Sequence, residues 1–88
     1  MKVTATDDHT LTVDIHGMRG ADAEFRLINL IENGSDKVDT IAVIHGFNSG
    51  QVLKETVRGL KSERIKKISP GENSGITIIK LKKIGGKK

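Results

Sequence analysis

The sequence contains one kind of corner twice, and this repetition limits the folds that the chain can adopt. A strand-like segment ends in His16-Gly17, a second ends in His45-Gly46, and each leads into a helical pattern. β-branched residues before a glycine-containing turn are typical of a strand that gives way to a helix. Strand, helix and strand in succession predict a right-handed βαβ unit with parallel strands. The two histidines are therefore expected side by side, at the sheet edge where ligands of such folds bind.

Hydrophobic periodicity predicts the remaining elements. Residues 20–33 and 51–61 carry apolar side chains at helical spacing. In the second corner, Asn48 and Gln51 are spaced as a capping box for the second helix. After the second helix, residues 65–69 and 75–81 are two further strand candidates, and the turn-rich segment 69–75 that joins them predicts an antiparallel pair. The predicted strands are residues 10–16, 40–45, 65–69 and 75–81, which with the two helices give an α/β fold.

The chain length limits the organisation to a single domain. A chain of 88 residues builds one two-layer core. We expect a flexible segment at residues 1–9, the domain at 10–83 and a disordered basic tail at 84–88. The sequence contains neither an apolar run long enough for a membrane span nor a signal-peptide pattern, and it lacks cysteine. These features predict a cytoplasmic protein without a membrane partner, disulfides or thiolate metal sites.

The charge is distributed unevenly along the chain. Residues 1–39 contain four Lys/Arg and eight Asp/Glu, whereas residues 40–88 contain eleven and three. The basic half is the part that would contact a polyanion, although lysines that only solvate the surface are an equal alternative on composition alone. Phe25 and Phe47 are the only aromatic residues. Nucleic-acid-binding modules that stack bases on aromatic side chains usually have more.

The first corner contains groups that can transfer protons. Asp14 and His16 are two residues apart in a strand, so both side chains project from one face. Asp14 could hold the imidazole in one tautomer, act in catalysis, or simply close the strand with hydrogen bonds. If His16 and His45 are neighbours, a phosphodiester between them could exchange protons with both rings. Alternatively, Asp14 could bind a divalent cation such as Mg²⁺ that activates water.

Three other interpretations of the corners remain open at the sequence level. Asp14, His16 and His45 could form a metal site of two histidines and one carboxylate, although the spacing matches no specific metal motif. The corners could instead form a pocket for a small anion, or both histidines could be structural. Arg19, which follows the first corner, is positioned either to reach a phosphate or to remain solvated.

Several motifs resemble those of the Smr (small MutS-related) domain. They are Val13-Asp14-Ile15-His16-Gly17-Met18, His45-Gly46-Phe47-Asn48-Ser49-Gly50, Pro70-Gly71-Glu72 and the closing strand that begins at Gly75. The resemblance extends from about Leu11 to Leu81, with the motifs in family order.

The resemblance implies a fold and an activity. The implied fold is a βαβαββ two-layer sandwich, an α+β arrangement like the C-terminal domain of translation initiation factor three. Its four-stranded mixed sheet carries both helices on one face. Nucleic-acid binding is implied, together with the endonuclease activity on DNA or RNA of several members. Carried over by position, the catalytic residues are Asp14, His16 and His45, and Gly17 and Gly46 complete their motifs.

Two positions depart from the family pattern, which has a basic residue where this chain has Phe47 and a glycine where it has Asn48. We therefore keep a second hypothesis beside the endonuclease: a non-catalytic module that docks on RNA, the ribosome or a protein. A small-molecule phosphate enzyme is a third. Neither the choice between DNA and RNA nor the oligomeric state follows from the sequence.

The predicted nucleic-acid contacts are Gly17, Arg19, Gly46, Asn48, Ser49, Lys54, Arg58, Lys61, Lys66, Lys67, Lys80 and Lys82.

Overall fold

The computed structural model describes residues 1–46 and 50–82. Within these residues, two helices cover one face of a five-stranded sheet. The sheet order is β1-β2-β3-β5-β4; β2 and β3 are parallel, and every other neighbouring pair is antiparallel. The elements are β1 (Lys2–Ala5), β2 (Thr10–Asp14), α1 (Gly20–Asn33), β3 (Thr40–Ile44), α2 (Gly50–Arg58), β4 (Ile65–Pro70) and β5 (Ile76–Leu81).

The hydrophobic core lies between the sheet and the helices. Alternate strand residues point toward the helices, whose own apolar stripes close the layer from the other side. Neither described helix is long and apolar enough to cross a membrane. The core side chains are Val13, Ile15, Ala23, Leu27, Ile31, Ile41, Val43, Leu53, Val57, Leu60, Ile79 and Leu81.

The α+β sandwich with both helices on one face is confirmed, but the predicted number of four strands is wrong. Residues 2–5, which fall in the segment expected to be flexible, form β1 and pair antiparallel with β2. All four β1 side chains are exposed, so this strand is held by backbone pairing and leaves no hydrophobic pattern to detect.

Helix α2 ends at Arg58 rather than at residue 61. The predicted tail, residues 84–88, lies outside the described residues.

The sheet face away from the helices, which we call the open face, positions the polar groups discussed below. At one end of this face the register aligns Lys80 with Thr40 and Thr40 with Thr10. At the other end it aligns Ile44 with Asp14 and Asp14 with Lys2. Since neighbouring residues in register share a face, the open face has a Lys80 end and, at the other end of the strands, an Asp14 end that also carries Lys2.

Candidate functional site

The first corner is a tight turn that begins where β2 ends. The Met18 N–H donates to the Ile15 carbonyl at 3.0 Å and closes the turn. Gly17 has a φ of +81°, a conformation that residues with a Cβ rarely adopt. This turn leaves His16 at its tip, with 71% of the side chain exposed.

Asp14 and His16 form a hydrogen-bonded pair, which we call the dyad. Asp14 Oδ1 lies 3.1 Å from the backbone N–H of His16 and 2.5 Å from His16 Nδ1. A carboxylate only accepts hydrogen bonds, so Nδ1 carries a proton, and in the neutral ring Nε2 keeps its lone pair. The hydrogen bond from the His16 ring is the main cause that lowers the pKa of Asp14; partial burial opposes it, and the His16 backbone N–H and, least of all, the charge of Lys2 lower the pKa further.

This geometry suits the dyad for proton transfer. The carboxylate fixes one tautomer and the orientation of the ring, and it would stabilise an imidazolium. Among the described residues, Nε2 of His16 has no hydrogen-bond partner, and it is free to accept a proton from a group that arrives from solvent.

The second corner adjoins the first. The Ile15 N–H donates to the Ile44 carbonyl at 2.9 Å, extending the contact between β2 and β3 past the last paired residues. Gly46 has a φ of +86°, and a Cβ on it would lie 3.5 Å from the Cβ of His16. The N–H groups of His45 and Gly46 both donate to the Gly75 carbonyl, at 2.9 and 3.1 Å. The two corners and the start of β5 thus form one connected edge.

His45 points into the protein from this edge. The residue is 2% exposed, and its Nδ1 lies 3.2 Å from the Gly46 carbonyl, which can only accept. Nδ1 is therefore the donor, and Nε2 accepts from the Thr77 hydroxyl at 2.9 Å. Burial is the main cause that lowers the pKa of His45; the nearby charges of Lys54 and Arg58 add to it, and the Gly46 hydrogen bond opposes it. The ring is held neutral with both nitrogens occupied.

The expectation that the two imidazoles lie side by side facing one phosphate is wrong. The register aligns Asp14 with Ile44, so alternation places His45 on the helix side with Val43 while the dyad belongs to the open face. No group of three His, Asp or Glu that could hold a metal exists among residues 1–46 and 50–82. Asp14, His16 and His45 therefore do not form the metal site considered from the sequence. The involvement of Mg²⁺, with Asp14 as its candidate ligand, stays a prediction.

The predicted phosphate contacts lie in different parts of the fold. Arg19 is exposed directly before α1. Lys54 and Arg58 belong to α2, in the helix layer, and Lys61 is exposed beyond the end of that helix. The proposed contacts and cap in residues 47–49, including Asn48 and Ser49, lie outside the described residues.

The remaining predicted lysines line a groove at the end of the sheet opposite the dyad. This lysine groove has a volume of about 740 Å³ and contains one carboxylate. Its lining residues are Asp39, Lys66, Lys67, Lys80, Leu81 and Lys82.

Sequence reasoning missed Thr77 and Lys2. Thr77 is 1% exposed and holds His45 from 32 positions away. The sequence feature that could have identified it is a threonine at an inward-facing position of β5, two and four residues before the apolar Ile79 and Leu81. Lys2 was missed because β1 was not predicted, and only the pairing with β2 places it opposite Asp14.

Comparison with known proteins identifies relatives of this chain. The family model described as "Smr domain" matches residues 13–82. The fold is similar to the crystal structure of the Smr domain of Thermus thermophilus MutS2, with a TM-score of 0.63 and 22% sequence identity. That match covers 81% of this chain and 96% of the other. Among curated proteins, the comparison finds no significant match.

Proposed function

Because the chain belongs to the Smr domain family, which is associated with nucleic-acid binding and nuclease activity, we propose that it binds nucleic acid and cleaves phosphodiester bonds at the dyad. One observation carries the proposal: the Asp14 carboxylate holds an exposed imidazole whose Nε2 is left available.

In the proposed reaction, Nε2 of His16 accepts the proton of the attacking oxygen. That oxygen is water, or the 2′-hydroxyl when the substrate is RNA. As the new P–O bond forms, the Asp14 carboxylate stabilises the imidazolium, and the bond to the leaving oxygen breaks. The imidazolium then returns the proton to the leaving oxygen, so His16 serves first as base and then as acid.

We assign His45 a positioning role. Its ring is neutral and bound by Gly46 and Thr77, so it is not available to substrate in this geometry. Its contacts instead hold the Gly46 turn against His16. Arg19, which is exposed three positions after His16 in the chain, supplies positive charge for the phosphate.

The test is a gel assay with single-stranded RNA, double-stranded RNA and branched or nicked DNA, with Mg²⁺ or with EDTA. We expect His16→Ala to reduce cleavage by about 10²–10⁴-fold, the usual contribution of a general acid–base group, with binding within about threefold. His9→Ala is the matched control, because His9 is also exposed but hydrogen-bonds to Lys37 and lies at the other end of β2. Equal cleavage by His16→Ala and the parent protein would refute the assignment.

The second candidate is a non-catalytic docking module, favoured by Phe47 where the family pattern has a basic residue. It predicts a stable complex with uncut nucleic acid. A band shift with intact substrate at every Mg²⁺ concentration, unchanged in His16→Ala, would establish this alternative and remove the catalytic role of the dyad.

A further inference from the structure

We propose that the lysine groove is a second phosphate-binding site, which anchors a nucleic-acid duplex about 16 Å from the dyad. This inference rests on the nucleic-acid binding proposed above but not on cleavage. It adds a substrate class, double-stranded nucleic acid, and a minimum substrate length.

The first argument is an arrangement of like charges that costs stability. The pairing of β4 with β5 shifts between Ile65 and Lys67, so that Lys66 and Lys67 together oppose Lys80. Such a bulge redirects side chains and is common next to functional sites. Lysines directly opposite each other on neighbouring strands repel. A polyanion in the groove would remove that repulsion.

The second argument is the excess of positive charge in the groove. Lys80 Nζ donates to the Thr40 hydroxyl at 3.1 Å, and this hydroxyl donates to Asp39 at 2.8 Å. The single carboxylate is thus already engaged. Within residues 1–46 and 50–82, none of the four groove lysines forms an ion pair, and all four are exposed. Four cations around one carboxylate attract phosphates.

The sheet geometry fixes the separation between the groove and the dyad. Lys80 is in register with Thr40, and Asp14 with Ile44, so all four positions belong to the open face. The four residue steps along β3 amount to about 13 Å, and the two strand spacings from β5 to β2 add about 10 Å at a right angle. The resulting diagonal is about 16 Å, or roughly five base-pair steps along a duplex axis.

The surface between the two ends indicates which nucleic acid fits. Its side chains from β3 and β5 are Ala42, Ile44, Ile76 and Ile78, all half-buried. None of them can stack on a base or donate a hydrogen bond to a base edge. Single strands are usually held by aromatic stacking. A duplex instead presents its phosphates outward, and contacts at the two ends suffice to hold it.

The experiment measures duplex binding by fluorescence anisotropy at several salt concentrations, with the full chain. The test variant is Lys66→Gln/Lys67→Gln, and the matched control is Arg26→Gln/Lys37→Gln, which removes two exposed charges elsewhere. We expect the test variant to weaken binding of a 16-base-pair duplex about tenfold and to lower the salt slope by roughly two. The control should stay within threefold. The melting temperature of the test variant should equal or exceed that of the parent, because the repulsion is relieved.

Two further measurements, which vary the length of the duplex and compare double with single strands, test the anchor most directly. A hairpin with a stem of about four base pairs, shorter than the separation of about 16 Å, should bind the parent and the test variant equally weakly, and longer duplexes should separate them. Equal affinity of both proteins for the 16-base-pair duplex would overturn the anchor. A single strand of equal length that binds the parent as tightly as the duplex would also overturn the anchor. Self-association of the protein through the open face, if it excludes DNA, would do the same. If the parent cuts nothing but the test variant still loses affinity, the proposed cleavage fails while the anchor stands.

Discussion

Arg64→Met should destabilise this protein far more than the removal of any other arginine in the part of the chain that the structure describes. Arg64 is 9% exposed, and its guanidinium binds only carbonyls. Nη1 donates to Ile31 at 2.8 Å, and Nη2 donates to Lys82 at 3.2 Å and to Val38 at 3.4 Å. The side chain therefore ties the last turn of α1 to the segment before β3 and to the residue that follows β5.

The magnitude follows from what the substitution leaves unpaired. Hydrogen bonds from a charged group contribute about 1.5–3 kcal/mol each, and the contact at 3.4 Å is the weakest of the three. Two good bonds give roughly 3–6 kcal/mol. Part of this loss is offset, because the unfolding free energy no longer includes the cost of burying the guanidinium. That cost is real here, since among the described residues the guanidinium has no carboxylate partner and its Nε has no hydrogen-bond partner. We expect a net loss of about 3 kcal/mol, out of a total of roughly 5–15 kcal/mol for a domain.

Urea and thermal unfolding measure the effect. For a domain of this size, a loss of about 3 kcal/mol lowers the melting temperature by roughly 12–24 °C. Arg26→Met is the control; Arg26 forms an exposed pair with Asp22 at 3.3 Å, and its loss should cost less than about 1 kcal/mol. Arg64→Lys should fall between the two. If Arg64→Met unfolds within about 0.5 kcal/mol of the parent, water replaces the guanidinium at these carbonyls, and the reasoning is refuted.

Three further predictions concern the corners. The pKa of His45 in the folded state lies below its ordinary value of 6.5, so on acidification the unfolded state takes up the proton first. The free energy of unfolding should therefore have its full value above about pH 6.5 and should fall as the pH drops toward the folded-state pKa. Urea unfolding between about pH 5 and 8 tests this, and His45→Gln should show a flatter profile. Thr77→Val should cost about 1–3 kcal/mol by leaving the buried Nε2 of His45 unpaired, whereas Thr77→Ser should retain most of the stability; equal unfolding of both variants would contradict the hydrogen bond. Gly17→Ala should cost about 1–2 kcal/mol because the φ of +81° is strained for alanine, and at a temperature where the variant is folded it should lose more cleavage than binding. A Gly17→Ala variant as active as the parent would show that the turn tolerates a Cβ.

The sequence determined the parts of this fold that depend on neighbouring residues. The apolar spacing of residues 20–33 predicted α1 with the bounds observed. Strand alternation put Asp14 and His16 on one face, and the observed hydrogen bond confirms that they meet. Period and turn chemistry are local properties, and a short window of sequence is sufficient to show them.

The direction of His45 depended on the tertiary structure. Strand β3 is apolar at successive positions, so the sequence did not indicate which of its faces is inward. The helices bury the face with Ile41 and Val43, and His45 follows that alternation into the interior. The partner that fixes its tautomer, Thr77, comes from β5 and could be identified only once β5 was paired with β3.

Charge had the same dependence on tertiary structure. In the sequence, Arg64, Lys66, Lys67 and Lys80 are equivalent basic residues. Packing buries Arg64 against three carbonyls, and a register shift in an antiparallel pair sets Lys66 and Lys67 against Lys80. Burial and strand register arise from contacts between residues distant in the chain, whereas periodicity and composition are properties of the chain itself. The sequence therefore determined the elements and the dyad, and the tertiary structure decided which charges are structural and which are available to a ligand.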